Sequence, residues 1–295
     1  MPETPGQAAA AIALLPCWRG RVDPVPLPGG ITNRNFLVDD GGERFVVRLG
    51  ADIPVHGILR FNELAASRAA FAAGISPEVV FATGGALVLR FIEGVTLTPA
   101  LVRDERILPM AVDLVRRCHE RVGRHLRGPA LMFWVFHILR GYALELHEHG
   151  SPRRLLMPDL LARAERLEQV VGPIDVVFGH NDLLAANFID DGARLWLIDW
   201  DYAGFNSPLF DLGGLVSNNQ LSKSQTGFVL DRYFGTVDAA LRRRLAAMIC
   251  ASLLREAVWS MVSEIHSAIA FDYVAYTDDY LARFERAWDD FNALP

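Results

Sequence analysis

The chain has 295 residues, 51% of them hydrophobic and 22% charged, a composition that buries a sizeable core and excludes a disordered chain. Its formal net charge of -6 speaks against a nucleic-acid partner, which needs a basic face. Cys17, Cys118 and Cys250 include no Cys-x-x-Cys pair, so neither a disulfide framework nor a zinc site is expected, and a reducing cytoplasm is the simplest setting.

The first apolar run, Ala8 to Leu15, has no basic segment ahead of it and is too short to span a bilayer. It reads as a short packing helix, and no membrane partner is expected. From Val25 to Ile92 short strands alternate with tight turns. Pro28-Gly29-Gly30 signals a turn, Asn35 to Val38 a strand, Asp40-Gly41-Gly42 a hairpin and Arg44 to Leu49 the next strand. His56 to Ala73, closed by Gly74, carries Ile58, Phe61, Leu64, Ala65 and Ala69 at helical spacing. Glu78 to Ala82 and Ala86 to Ile92 flank a second hairpin at Thr83-Gly84-Gly85.

Beyond Glu93-Gly94 the pattern is helical: Pro99 to His125, Trp134 to His149, Pro158 to Val171, Ser224 to Phe234, Val237 to about Ala270, and Tyr273 to Phe291. One exception, Val176 to Asp201, holds two short apolar strands, Val176 to Phe178 and Leu195 to Ile198, around a polar loop. The expected fold is therefore α+β and bilobal. Residues 1–93 form an antiparallel-sheet N-terminal lobe and residues 94–295 a mainly helical C-terminal lobe.

The polar loop carries the chemistry. It reads His180-Asn181-Asp182-Leu183-Leu184-Ala185-Ala186-Asn187, and Asp199 follows twelve residues later at the end of the next strand. Phosphoryl transfer needs a carboxylate to orient the attacking hydroxyl and oxygen ligands to hold Mg²⁺ on the phosphates. Asp182, Asn187 and Asp199 supply these groups in the order of a kinase catalytic loop and metal segment. A lone loop aspartate usually caps a turn; the signal here is the joint spacing. Lys223 is the only lysine, so a strand cation that grips phosphates has to be an arginine.

These residues resemble the signature of the aminoglycoside-phosphotransferase and choline-kinase superfamily, whose fold is protein-kinase-like. Gly29 to Phe36 is similar to the nucleotide loop of its choline/ethanolamine kinase branch, and Phe45 to Leu49 to the third strand. Asp201 to Gly204, Phe210-Asp211-Leu212, Arg255 to Trp259 and Ala270 to Tyr273 also match that branch. The resemblance implies an ATP- and Mg²⁺-dependent kinase acting on the hydroxyl of choline, ethanolamine or another small, cationic alcohol. An aminoglycoside, thiamine or sugar kinase and an inactive ATP-binding relative are the alternatives.

It also implies residue roles. Gly30, Thr32 and Asn33 close over the phosphates, Arg48 grips them with Glu63 as its partner, and Phe91 and Glu93 lie in the link that offers backbone groups to adenine. Asn187 and Asp199 hold the metal, Asp182 takes the acceptor proton, and His180 and Asp211 brace the loop. Glu256, Trp259 and Tyr273, or Tyr276 in its place, belong to the acceptor pocket, and Asp201 either lines that pocket or stands behind the metal ligands. Glu256 stands where a second cage aromatic is expected, which makes the pocket thinner and more acidic.

Overall fold

The computed structural model describes residues 5–28 and 33–294. Gly30 and Thr32 of the expected nucleotide loop lie outside them. A helix, α1 (Pro5–Ala13), precedes a five-stranded antiparallel sheet of β1 (Val25–Leu27), β2 (Arg34–Asp40), β3 (Glu43–Leu49), β4 (Val79–Thr83) and β5 (Ala86–Arg90), in the order β1-β2-β3-β5-β4. The β2–β3 hairpin pairs Asp40 with Glu43 across Gly41-Gly42. Both glycines have positive φ, 66° and 88°, the tight turn that matches strand twist and that side chains resist.

Two apolar clusters divide the molecule. The smaller joins Ala8 and Ile12 of α1 to Phe36, Val38, Phe45 and Val47 on the sheet. The larger takes in the helices after the sheet's first hairpin, including α2 (Arg60–Ala72), which follows a 3-10 turn at Pro54–His56. Of the expected apolar face of α2, Ile58 just before the helix and Ala69 are buried, but Phe61 is 48% exposed, and Asn62, Glu63, Ala66 and Ala70 are buried instead. Small residues let α2 lie close to the helical region, and a charge pairing described below holds Glu63 inward.

The link after Glu93 enters a second sheet through β6 (Val95–Thr96), which pairs with β8 (Phe188–Asp190), itself paired with β9 (Leu195–Leu197). A Cβ on Gly94 would fall 2.6 Å from the Asp190 carbonyl oxygen, so only glycine lets the link pass this close. The stretch read as one helix from Pro99 is two, α3 (Pro99–Val102) and α4 (Ile107–His125). Asp104 breaks it by accepting the Arg106 N–H on its own side chain, a local bond that competes with helix.

α5 (Val135–Glu148) and α6 (Met157–Val171) follow, then β7 (Val177–Gly179), paired with β10 (Gly204–Asn206). α7 (Pro208–Asn218) is a helix that sequence reading missed. All of its residues are buried, so it shows no polar face and no amphipathic period. Its start was nonetheless legible: Ser207 caps the Leu209 N–H and Pro208 opens the first turn. α8 (Lys223–Phe234), α9 (Ala239–His266) and α10 (Tyr273–Asn292) complete the chain. α9 is apolar and long enough to cross a bilayer, but 89% of its most apolar stretch is buried in the protein, against α5, α6, α7 and α10. The three cysteines are free.

His56 pins the 3-10 turn to the helical region. Its Nδ1 meets the Tyr142 hydroxyl at 3.0 Å, and its Nε2 meets the Ser263 hydroxyl at 3.1 Å. Burial first, then the charges of Arg255 and His266, lowers its pKa to about 3. An unfolded chain returns it to about 6.5. The unfolded state therefore binds the extra proton between these values, and the stability this neutral imidazole contributes is lost as pH falls from about 6.5 towards about 3. The slope approaches about 1.4 kcal/mol per pH unit. Urea unfolding at pH 7.5 and 5.0 should show the wild type losing more stability than His56→Gln, which has no proton to gain. Equal losses in both proteins would contradict this.

Candidate active site

The loop after β7 is held from below by one carboxylate. Asp211, in the first turn of α7, accepts the His180 N–H at 2.8 Å and the Asn181 N–H at 2.7 Å. His119 of α4 donates to it from Nε2 at 2.8 Å. Burial opposes ionisation of Asp211, but His119, by hydrogen bond and charge, and His180 outweigh it and hold the carboxyl below its usual range. Asn181 sits in the left-handed region at φ 66°, costly without glycine. Its side-chain amide repays the strain by donating to the Tyr202 and Gly204 carbonyls.

His180 is fully buried and makes two ring contacts. Nε2 donates to the Ile198 carbonyl at 2.8 Å, and Nδ1 accepts the Asp182 N–H at 3.3 Å. That pattern requires the neutral ring, and burial lowers its pKa accordingly. Its position is that of a brace between the loop and the end of β9. Trp200 reinforces the same corner: its indole N–H donates to Ser76 Oγ at 2.7 Å, and that hydroxyl donates to the Leu197 carbonyl.

Asp182, Asn187 and Asp199 meet at the floor of a cleft of about 560 Å³. The Asn187 amide nitrogen donates to the Asp182 carbonyl at 2.8 Å and to its carboxylate at 3.3 Å. This turns the Asn187 amide oxygen into the end available to a cation. Burial first, then Glu256, pushes the Asp182 carboxyl well above its usual range; Arg255 pulls it back, Asp199 adds to the rise, and the Asn187 hydrogen bond opposes it. Asp199 also has positive φ, 68°, which aims its carboxylate across the cleft at Arg48, 2.7 Å away.

Arg48 on β3 is the node of a buried ion cluster. Besides Asp199 it pairs with Glu63 of α2 at 3.3 Å and with Asp201 at 3.3 Å. Arg60 pairs with Glu63 at 2.6 Å and with Asp201 at 3.0 Å. Burial opposes the charge on Arg48, but Asp199, Asp201 and Glu63 together hold its pKa well above the usual arginine range. Asp201, which also lines the cleft, is tied to Arg48 and Arg60. The Asn33 side-chain amide donates to Asp201 at 2.8 Å. Arg60 was overlooked, although its position three residues before Glu63 on a helix was a readable signal.

The cleft has two ends. Leu27, Val46, Leu89, Phe91 and Ile92 line an apolar one between the sheet and the link. The Phe91 N–H is already given to the Arg44 carbonyl, and the Arg44 guanidinium stacks on the Phe91 ring at 4.5 Å and pairs with Glu93. The Phe91 N–H is therefore not among the backbone groups the link has to offer. Arg255, Glu256, Trp259, Tyr202 and Tyr276 line the opposite end. Tyr276, not Tyr273, is the tyrosine at the cleft. Tyr273 packs behind Trp259, 6.1 Å between rings, and donates its hydroxyl to Ser267.

The expected surplus of acid at this end is partly offset. Glu256 Oε1 pairs with Arg255 at 2.5 Å, and Oε2 accepts the Tyr276 hydroxyl at 3.0 Å. The charge that Glu256 adds is cancelled by its own neighbour in sequence. An Arg-Glu pair inside the apolar run of α9 was the signal for this.

Comparison with known proteins follows the same lines. The chain is 28% identical to Protein LicA of Haemophilus influenzae over 282 residues, covering 90% of this chain and 79% of that one. It is 25% identical to ethanolamine kinase 2 of Mus musculus over 305 residues, covering 92% and 78%. Its fold superposes on the crystal structure of a choline/ethanolamine kinase family protein from Mesorhizobium loti with a TM-score of 0.77, at 26% identity and with 97% and 96% of the two chains covered. Residues 23–247 match the phosphotransferase enzyme family, and with more than half of its length inside that match the chain belongs to this family.

Proposed function

We propose that this protein transfers the γ-phosphoryl group of ATP to the hydroxyl of a small amine alcohol, of the ethanolamine or choline type, in the cytoplasm. One observation carries the reading: Asp182, Asn187, Asp199 and the Arg48–Glu63 pair converge on one cleft whose far wall is Trp259 and Tyr276. The names of its relatives, an ethanolamine kinase and a choline/ethanolamine kinase family protein, point the same way. In this reading residues 1–93 form the nucleotide lobe and residues 94–295 the acceptor lobe.

The donor set suits Mg²⁺. Asn187 and Asp199 offer hard oxygen ligands, and the Asn187 amide nitrogen is spent on Asp182, which leaves its oxygen for the ion. When bound, the ion neutralises charge on the phosphates. Arg48 grips the α- and β-phosphates, and Glu63 keeps it extended. Asp182 orients the acceptor hydroxyl in line with the γ-phosphorus. As the new O–P bond forms and the bond to the ADP oxygen breaks, the hydroxyl proton passes to Asp182. Transfer of this kind is loose, so positioning outweighs early deprotonation. The faces of Trp259 and Tyr276, whose rings lie 6.0 Å apart, attract the acceptor's ammonium.

Three measurements test the proposal. In an ATP-consumption screen over choline, ethanolamine, thiamine, aminoglycosides and sugars, an amine alcohol should be the best acceptor, and Asp182→Asn should cut its turnover ~10²- to 10⁴-fold while nucleotide binding persists. Full turnover in that variant would remove Asp182 from the mechanism. Arg48→Ala should raise KM for ATP roughly 10- to 100-fold, the worth of a charge-assisted contact. Lys223→Ala should leave it unchanged, because Lys223 lies at the surface against Asp290; the reverse pattern would relocate the phosphate site. Trp259→Ala should weaken acceptor binding by about 3- to 30-fold with KM for ATP unaltered, and an unchanged acceptor KM would move the ammonium site elsewhere.

A further inference from the structure

Arg255 is a fully buried guanidinium one step from the catalytic loop. It projects from α9, 2% exposed, and its Nη1 lies 2.5 Å from Glu256 Oε1 and 4.0 Å from Asp182 Oδ1. Its carbon centre sits 4.2 Å over the Tyr202 ring and 5.6 Å from that of Phe133. Nε and Nη2 have no hydrogen-bond partner among the described residues. Two carboxylates thus compete for one cation, and Glu256 holds it. The Tyr276 hydroxyl fixes the other oxygen of Glu256, so the winning carboxylate is anchored on both sides.

We propose that Glu256 is a positioning residue whose task is to hold Arg255 off Asp182, so that the Asp182 carboxylate stays open to the acceptor hydroxyl. This rests on the reading of Asp182 given above. The physical reason is that a buried cation must be matched by an anion. Without Glu256, Asp182 is the nearest carboxylate left, and closing from 4.0 Å to hydrogen-bond distance takes a shift of about 1 Å. Arg255 would then occupy the lone pairs that receive the hydroxyl. It would also neutralise Asp182 and so remove the net negative charge at the end of the cleft where a cationic acceptor binds. Glu256 therefore acts through Arg255, in contrast to a carboxylate that itself grips the ammonium.

The test is a double-mutant cycle with Glu256→Gln, Arg255→Met and the two combined, assayed with the best amine-alcohol acceptor of the wild type. Glu256→Gln should lower kcat by about tenfold or more, towards the ~10²-fold of a lost general base, with KM for ATP unchanged. The combined variant should recover most of that loss, since the cation that blocks Asp182 is gone. Failure of the combined variant to exceed Glu256→Gln would overturn the proposal. So would a Glu256→Gln variant with unaltered kcat and only a raised acceptor KM, which would make Glu256 a direct ammonium ligand. If Glu256→Gln does not fold, Glu256→Asp, which withdraws the carboxylate by one methylene, should show the same loss and the same recovery with Arg255→Met. A crystal structure of the folded Glu256 variant gives a readout independent of any acceptor: Arg255 should contact Asp182, and an unmoved Arg255 refutes the idea. Absence of wild-type turnover with every amine alcohol would instead refute the functional reading, leaving the position of Arg255 to decide the present proposal on its own.

Discussion

The Arg48 guanidinium is buried beneath the sheet and touches three carboxylates from two separate stretches of chain: Glu63 on α2, and Asp199 and Asp201 in the loop after β9. A charge in that position is tolerated only when matched, and removing one partner from a buried pair typically costs about 3–5 kcal/mol. The sheet, α2 and the loop after β9 are therefore held in one geometry by a single requirement of charge neutrality. Arg60 and Asn33 tighten the same cluster through Asp201. The small apolar core under the sheet is distinct from the large helical one, so this polar junction does much of the work of relating the sheet wall of the cleft to its floor.

The floor itself is braced by a second buried carboxylate. Asp211 fastens two consecutive backbone N–H groups and one imidazole, and α7, buried on every side, gives it an immobile base. Strain is concentrated where chemistry would occur. Asn181 and Asp199 both adopt positive φ, at a cost on the order of 1–3 kcal/mol each. The side-chain bonds of Asn181 and the ion pair of Asp199 offset it. Pre-set loops of this kind need little reorganisation when charge develops during reaction.

At the acceptor end the charges are arranged more subtly than their number suggests. Asp182, Glu256 and Arg255 lie within a few ångströms, and the net of the three is one negative charge. A monocationic alcohol would bring the balance to neutrality, whereas a pocket with both acids uncompensated would bind cations without favouring a hydroxyl positioned at Asp182. Aromatic faces from Trp259 and Tyr276 complete the wall, and the buried His56 ring, 5.4 Å from Trp259, backs it with a neutral group rather than a competing cation.

Local pattern carried much of this on its own. Alternating apolar residues and paired glycines determined the hairpins at Gly41-Gly42 and Gly85, because turn geometry depends on a few adjacent residues. The spacing of His180, Asp182 and Asn187 determined that they share one loop, and the lone Lys223 left arginine as the only strand cation. Elements without a period were illegible: α7 has no polar face to reveal it, and β8 and β10 are three residues each. Which charges neutralise which was decided only in three dimensions. Asp201 went to Arg48 and Arg60, Asn33 went to Asp201, and Glu256 went to Arg255, because pairing depends on contacts across 141 to 168 residues of chain for the first two and on side-chain rotamers within one turn of α9 for the third. Tyr276 displaced Tyr273 at the cleft for a related reason. The two differ by three residues on α10, nearly one turn, and only the angle at which α10 packs on α9 selects the one that faces inward.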